Sequence, residues 1–198
     1  MAKLQLDDIA DLRAYERERA QFRRAVIDVK KKRRVHLGPV VTLLFENADT
    51  VRFQIQEMAR AEKILTDEGI QTELDVYNPL IPEPGHLAAT LFIELTSDEQ
   101  LREWLPKLVG IEDSIELRLG PADQPRVVRS AVDADHRKQL TRHEVTASVH
   151  YLHLSLSPDD VEAFAVGPVA LASNHPRYQH AVVLADDTHA ELLRDLRG

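Results

Sequence analysis

Two kinds of hydrophobic spacing alternate along this sequence, and they restrict its fold more than any other feature does. Residues 40–45 form a short apolar run with β-branched members, which is typical of a buried strand, and residues 87–95 alternate as a strand. The segment 50–68 between them places apolar residues three and four apart, which predicts an amphipathic helix. Strands interleaved with helices are typical of an α/β architecture.

The same two patterns assign the remaining elements. Further helices are predicted at 7–34, 98–108, 158–165 and 186–197, and further strands at 115–119, 126–132, 146–156, 169–172 and 179–184. Because the strands on either side of Gly120 are predicted to form a hairpin, we predict an α/β fold with a mixed sheet and flanking helices. Residues 1–37 are expected to form an N-terminal helical segment. No linker-like stretch divides the chain, so residues 1–198 are expected to form a single α/β domain.

The composition narrows the chemistry that is open to the chain. Cysteine is absent, which excludes disulfides, thiolate catalysis and directly ligated iron–sulfur clusters. A formal net charge of -8, from 25 basic and 33 acidic residues, disfavours nucleic acid as a partner. The first residues have no signal-peptide pattern, and no apolar run reaches the roughly 18 residues of a membrane span. We therefore expect a cytoplasmic protein that makes no membrane contact.

The helix predicted at 50–68 carries acidic residues on faces that are otherwise apolar. Its main stripe is formed by Val51, Ile55, Met58 and Leu65. Glu62 falls inside that stripe, and Glu57 lies beside a second apolar strip of Phe53 and Ile64. A buried carboxylate must be paired, hydrogen-bonded, protonated or bound to a metal, so pairing with an arginine and a ligand-binding role both remain open. The candidate ligand-binding residues are Arg52, Gln54, Glu57, Glu62, Tyr77, Asn78 and Tyr178.

Three histidines form a second candidate site. Alternation in the strand 146–156 places His150 on its apolar face, while His175 lies in a turn and His180 in the following strand. If these strands are neighbours, the three histidines together with Glu57 or Glu62 would form a metal site suited to zinc, manganese or iron. The alternative is that each histidine makes one buried hydrogen bond, because no H-E-x-x-H motif is present.

The cationic run Lys30 to Arg34 ends the first predicted helix. Cations at a helix C-terminus complement the helix dipole, so a solvated helix end is one interpretation of this run. A site for a phosphate-bearing ligand or nucleotide is a second interpretation. Nucleic-acid binding is a third, although no aromatic residues are interleaved with these charges.

Several separated blocks resemble one bacterial family that is known only as a domain of unknown function. The blocks are Leu43–Asn47, Asp49–Arg52, Gln54–Met58, Tyr77–Pro82, Val109–Glu112 and His175–His180. The similarity extends over nearly the whole chain. Members of that family are often encoded beside rubrerythrin-like and iron–sulfur reductase-like proteins, so the resemblance implies a role near peroxide defence or electron transfer.

Three functional hypotheses follow. The first is an accessory protein that associates with redox or peroxide-stress partners and binds a small anion or metal near Glu57 and Glu62. The second is a metal-dependent enzyme that uses His150, His175, His180 and Glu57. The third is a nucleotide or nucleic-acid binder that acts through Lys30 to Arg34.

Overall fold

A computed structural model describes residues 2–132 and 145–198 of the chain. In this part of the chain the helices are α1 (Leu12–Arg33), α2 (Ala48–Glu62), α3 (Asp67–Tyr77), α4 (Asp98–Lys107), α5 (Pro158–Val166) and α6 (Asp186–Arg197). The strands are β1 (Arg34–Leu37), β2 (Val41–Phe45), β3 (His86–Ile93), β4 (Ile115–Leu119), β5 (Arg126–Arg129), β6 (Val149–Ser155), β7 (Val169–His175) and β8 (Tyr178–Val183). Short 3-10 turns lie at Leu6–Asp8, Asn78–Leu80 and Ile111–Asp113.

The strands form two four-stranded sheets. The first has the order β1-β2-β3-β6 and the second the order β5-β4-β7-β8. The predicted α/β class and the presence of an N-terminal helix are confirmed. The helix covers Leu12–Arg33, however, and residues 34–37, which were predicted as part of the helical segment, form strand β1. The strands expected to form a mixed sheet are divided between these two sheets, and every pairing among the described strands is antiparallel. Short connections after β1, β4 and β7 reverse the chain and directly join three of the antiparallel pairs, β1–β2, β4–β5 and β7–β8.

The two sheets enclose the main hydrophobic core. Alternate residues of the first sheet, such as Leu43, Leu91 and Leu152, are fully buried against residues of the second, such as Leu117 and Leu171. Helices α5 and α6 add Phe164, Leu192 and Leu196 to this core. A bridge between Ala131 and His153 brings the segment after β5 against β6, so the two sheets also meet along one edge.

Helices α1, α2 and α3 cover the opposite face of the first sheet. A second apolar cluster lies between α2, α3 and the turn that follows, and it contains Val51, Ile55, Leu74, Tyr77, Leu80 and Ile81. The first sheet is therefore covered on both faces, by the second sheet on one side and by helices on the other. None of the described helices has the length and apolar composition needed to cross a membrane.

The predicted helix 50–68 is two helices. It ends at Glu62, and Lys63 adopts a left-handed conformation with φ of 57° before Thr66 caps the start of α3. Gly69, which directly follows the predicted helix 50–68 and is typical of a helix end, instead lies in the first turn of α3. A Cβ atom at this position would approach the Ile64 side chain to 2.4 Å. The break leaves Glu62 and Leu65 exposed, so their predicted burial is wrong.

Two amide side chains hold the N-terminal segment against α2 and the end of α3 through hydrogen bonds. Gln56 accepts from the Ala10 amide and donates to the Ala10 carbonyl, and Asn78 makes the same pair of bonds with Leu4. Lys3 donates to the Ile81 carbonyl at 2.6 Å. We call residues 3–10 the N-terminal strap.

Candidate ligand-binding cavity

A cavity of about 330 Å³ lies between the first sheet and the helices that cover it. Its floor follows the sheet register, because Leu44 pairs with Thr90 and Thr90 pairs with Tyr151 across three adjacent strands. The next row adds Phe92, which pairs with Val149. All five side chains project from the face opposite the main core, since side chains alternate between the two faces of a strand.

The helices supply the walls of the cavity. Thr50, Val51 and Gln54 come from α2, and Lys30 comes from the last turns of α1. Tyr77 ends α3, and Leu80 belongs to the turn that follows it. The lining thus combines apolar surface with a few neutral polar side chains, one acidic residue and one basic residue. A mainly apolar surface with a few polar groups is the usual composition of a small-molecule site.

Glu46 is the buried acidic group of the cavity. It follows β2 directly and is only 8% exposed. One carboxylate oxygen accepts a hydrogen bond from the Thr50 hydroxyl at 2.5 Å, and the other accepts from the Thr90 hydroxyl at 2.6 Å. Because each carboxylate oxygen has a second acceptor position, Glu46 can accept a further donor from the cavity.

Lys30 is the basic group of the cavity. Its ammonium lies 5.0 Å from the centre of the Phe53 ring, and it makes no hydrogen bond or ion pair with the described residues. Burial lowers the pKa of Lys30, and the negative charge of Glu46 opposes that effect. Lys30 and Glu46 therefore interact across the cavity without direct contact.

Two tyrosines complete the polar lining. Burial raises the pKa of Tyr151 to about 12, and its hydrogen bond with Tyr77 adds to this effect. The Tyr151 phenol therefore stays protonated at neutral pH. The hydroxyls of both tyrosines can donate or accept a hydrogen bond. Tyr77 and Gln54 are thus the two predicted ligand-binding residues that the structure places in the cavity wall.

Glu57 lies outside the cavity in an ion pair that joins α1 to α2. Arg19 donates two hydrogen bonds of 2.7 Å to its two carboxylate oxygens, and the Tyr15 hydroxyl donates a third at 2.6 Å. The hydrogen bonds from Arg19 lower the pKa of Glu57 to about 2, against the opposing effect of burial. Of the two roles left open for Glu57, the structure shows pairing with an arginine.

The other predicted ligand-binding residues have different neighbours. Arg52 lies over the Phe22 ring, and Asn78 fastens the N-terminal strap. Tyr178 is buried, and its hydroxyl contacts the turn between β1 and β2. These three side chains and the exposed Glu62 are absent from the cavity lining.

The predicted metal-binding histidines are divided between the two sheets. His150 lies in the first sheet, and His175 and His180 lie in the second. His150, in β6, is buried, and its Nε2 lies 2.8 Å from the Thr146 hydroxyl and 2.9 Å from the Ala147 carbonyl. His175 contacts the Val109 carbonyl, whereas His180 is exposed on β8 beside the Tyr178 ring. Within residues 2–132 and 145–198, no three His, Asp or Glu side chains are grouped so that they could hold a metal ion.

The cationic run is divided among several environments. Arg33 is buried and forms a two-pronged ion pair with Asp195, while Arg34 pairs with Glu94. Lys31 and Lys32 are exposed. Only Lys30 faces the cavity, so the run does not present one continuous cationic surface.

Sequence reasoning missed Glu46, Thr50 and Thr90 as functional candidates. Glu46 directly follows the buried strand predicted at 40–45, and a carboxylate at such a position is itself a signal. Thr90 lies in an alternating strand whose other face is apolar. A threonine on the opposite face indicates that a polar side chain is needed there. The carboxylate that it contacts, Glu46, is distant in sequence and cannot be identified from spacing.

Comparisons with known proteins agree with this architecture. The family of proteins of unknown function DUF3501 matches residues 3–196. A crystal structure of a novel protein of unknown function from Burkholderia pseudomallei K96243 is 39% identical, with a TM-score of 0.89, and the match covers 98% of this chain and 100% of that chain. A search of curated proteins gave no match. The chain therefore belongs to the DUF3501 family.

Proposed function

We propose that this protein binds a small organic molecule in the cavity between the first sheet and helices α1–α3. The observation that carries the proposal is the presence of Glu46 and Lys30, oppositely charged and not paired with each other, in the wall of one cavity. Placing charged groups in a partly dry cavity costs free energy, which a bound polar ligand would offset. A site of this composition is suited to recognising a ligand by its polar groups.

The cavity volume restricts the size of the ligand. A value of about 330 Å³ is close to the lower limit of roughly 300 Å³ for small-molecule sites. This favours a molecule of about the size of an amino acid or a small aromatic acid. The apolar lining from Leu44, Val51, Leu80 and Phe92 would hold its hydrocarbon part.

Nuclear magnetic resonance spectroscopy tests this proposal directly. The protein would be titrated with a panel of water-soluble organic acids, amines and amino acids, and amide shift changes would be mapped onto the structure. We expect the changes to cluster at the floor residues Thr90, Tyr151 and Val149. If no compound shifts these amides, the proposal is wrong.

A filled cavity provides a second test. The variant Val149→Phe adds volume at the floor and should abolish binding, because its ring would occupy the ligand space. Val127→Phe makes the same change at a side chain that is 45% exposed on β5, and it should bind as the wild type does. Equal binding by both variants would contradict the proposal.

The expected association with rubrerythrin-like and iron–sulfur reductase-like partners stays a prediction from the family resemblance. The cytoplasmic location stays a prediction from the sequence pattern. An accessory protein that responds to a small metabolite would combine that association with the cavity. A pull-down from cells grown under peroxide stress tests it, and recovery of no redox protein would count against it.

A further inference from the structure

The charged side chains in and beside the cavity differ in whether another charged group of the protein pairs with them. Arg34, next to the cavity over the Phe92 ring, is paired with Glu94 at 2.9 Å. Lys30 has only the Phe53 ring as a close partner among the described residues. Lys30 is thus the cation that remains available to a ligand anion.

Glu46 is the anion that remains available to a ligand cation. Its two hydrogen bonds from threonine hydroxyls fix the carboxylate in place, and the rest of the wall is apolar or neutral apart from Lys30. Hydroxyl donors stabilise a carboxylate without cancelling its charge. A ligand ammonium would supply the missing positive charge.

A ligand with a single charge would pair with only one of the two residues, Lys30 or Glu46. An anion that approaches Lys30 also meets the field of Glu46, and a cation that approaches Glu46 also meets the field of Lys30. A divalent metal ion is disfavoured by the same ammonium. A molecule that carries both charges avoids the repulsion and gains both attractions.

We propose that the ligand of this cavity is zwitterionic, with an ammonium group directed at Glu46 and a carboxylate directed at Lys30. This inference rests on the proposed function and names its ligand class. An amino acid with an apolar side chain has these two charges, and its size suits the cavity volume. The side chain would lie against Leu44, Val51 and Leu80.

Matched series of probes test the charge requirement by isothermal titration calorimetry. One series comprises L-leucine, 4-methylpentanoate and 3-methylbutylamine, which share one hydrocarbon body and carry both charges, the negative charge or the positive charge. A second series, 6-aminohexanoate, hexanoate and pentylamine, increases the separation between the charges. In at least one series, the zwitterion should bind about tenfold more tightly than either relative, because each lost contact is a charge-assisted hydrogen bond.

Two variants assign each charge to its residue. Lys30→Met keeps most of the side-chain length and should reduce affinity for the zwitterion to that of the amine. Glu46→Gln keeps the side-chain shape and should reduce it to that of the acid. Lys31→Met and Glu83→Gln, at exposed positions outside the cavity lining, are the matched controls and should bind as the wild type does. Thermal unfolding would verify that each variant is folded.

The outcomes separate this inference from the proposed function. If single-charge probes bind as tightly as their zwitterion and Val149→Phe abolishes that binding, the cavity is a ligand site and the zwitterion inference is wrong. If neither zwitterion binds the wild-type protein, the inference is also wrong. If the wider panel of compounds gives no shifts at the cavity floor either, the proposed function fails with it.

Discussion

The Tyr178 hydroxyl donates a hydrogen bond of 2.6 Å to the Leu37 carbonyl, which is 141 positions away in the sequence. The same oxygen accepts from the Val40 and Val41 amides, each at 3.0 Å. Tyr178 belongs to the edge strand of the second sheet, and Leu37 ends the edge strand of the first. One phenol therefore joins the two sheets along the side opposite the bridge between Ala131 and His153.

The variant Tyr178→Phe should destabilise the protein by about 1–3 kcal/mol, because it leaves buried backbone groups of the β1–β2 turn without a hydrogen-bond partner. The free energy of unfolding, measured by urea titration, checks this. Phenylalanine preserves the ring contacts with Trp104 and His180, so the change reports the hydroxyl alone. A loss of only a few tenths of a kcal/mol would show that the hydroxyl does not hold the sheets together.

The variant Gly38→Ala should cost more stability than Gly120→Ala. Both glycines have a positive φ, 71° and 90°, so each alanine would incur a strain of about 1–2 kcal/mol. At Gly38 the added Cβ atom would also approach the His180 ring and the Tyr178 hydroxyl to 2.7 Å, whereas at Gly120 nothing lies within 4 Å. Thermal unfolding of the two variants checks the difference, and equal midpoints would contradict the close packing of Gly38.

The variant Glu57→Gln should reduce the sensitivity of the protein to acid. The pKa of Glu57 is lowered to about 2 in the folded protein, below its ordinary value of about 4.5 in an unfolded chain. The wild type therefore has the full contribution of this carboxylate above about pH 4.5 and loses it as the pH falls towards about 2. Unfolding free energies measured across this range should show a shallower slope in the variant.

A control for that prediction is Glu16→Gln. Glu16 pairs with Arg60 across the same two helices, but both side chains are more exposed than those of the Glu57 pair. Exposed pairs contribute only about 0–1 kcal/mol, so this variant should retain the slope of the wild type. If Glu16→Gln flattens the slope as much as Glu57→Gln does, the effect does not come from the half-buried pair of Arg19 and Glu57.

Asn78→Ala should release one end of the N-terminal strap. The variant removes both hydrogen bonds to Leu4, whose amide should then exchange with solvent about tenfold faster or more. Gln56→Ala should act in the same way at Ala10, and Gln21→Ala, at an exposed position on α1, is the control. Unchanged exchange at Leu4 and Ala10 would mean that other contacts hold the strap.

Local patterns predicted the elements of this fold well. The hairpin around Gly120, the helix opened by Pro158 and the final helix all lie where the sequence places them. The alternation that placed His150 on an apolar face is also confirmed by its burial with Leu152 and Leu154. These features depend on neighbours within a few residues, so a single sequence contains them.

Features that depend on distant partners could not be predicted in this way. Whether Glu57 meets Arg19 or a ligand depends on how α1 packs against α2, and periodicity does not determine that. The break at Lys63 was missed because Gly69 is a stronger sequence signal for a helix end than a lysine in a left-handed conformation. The cavity needs Glu46 after β2, Thr90 in β3 and Lys30 in α1. The sheet register brings the first two together, and the packing of α1 against the sheet adds the third.

That register has a consequence for variation among relatives. Odd-numbered residues of β2 and β3 face the main core, whereas Leu44, Thr90 and Phe92 face the cavity. Under the proposed function, substitutions at the latter positions would change which ligand binds, while the interior that maintains the fold stays intact. Homologues with the same backbone could then differ in ligand preference through changes on one face of each strand.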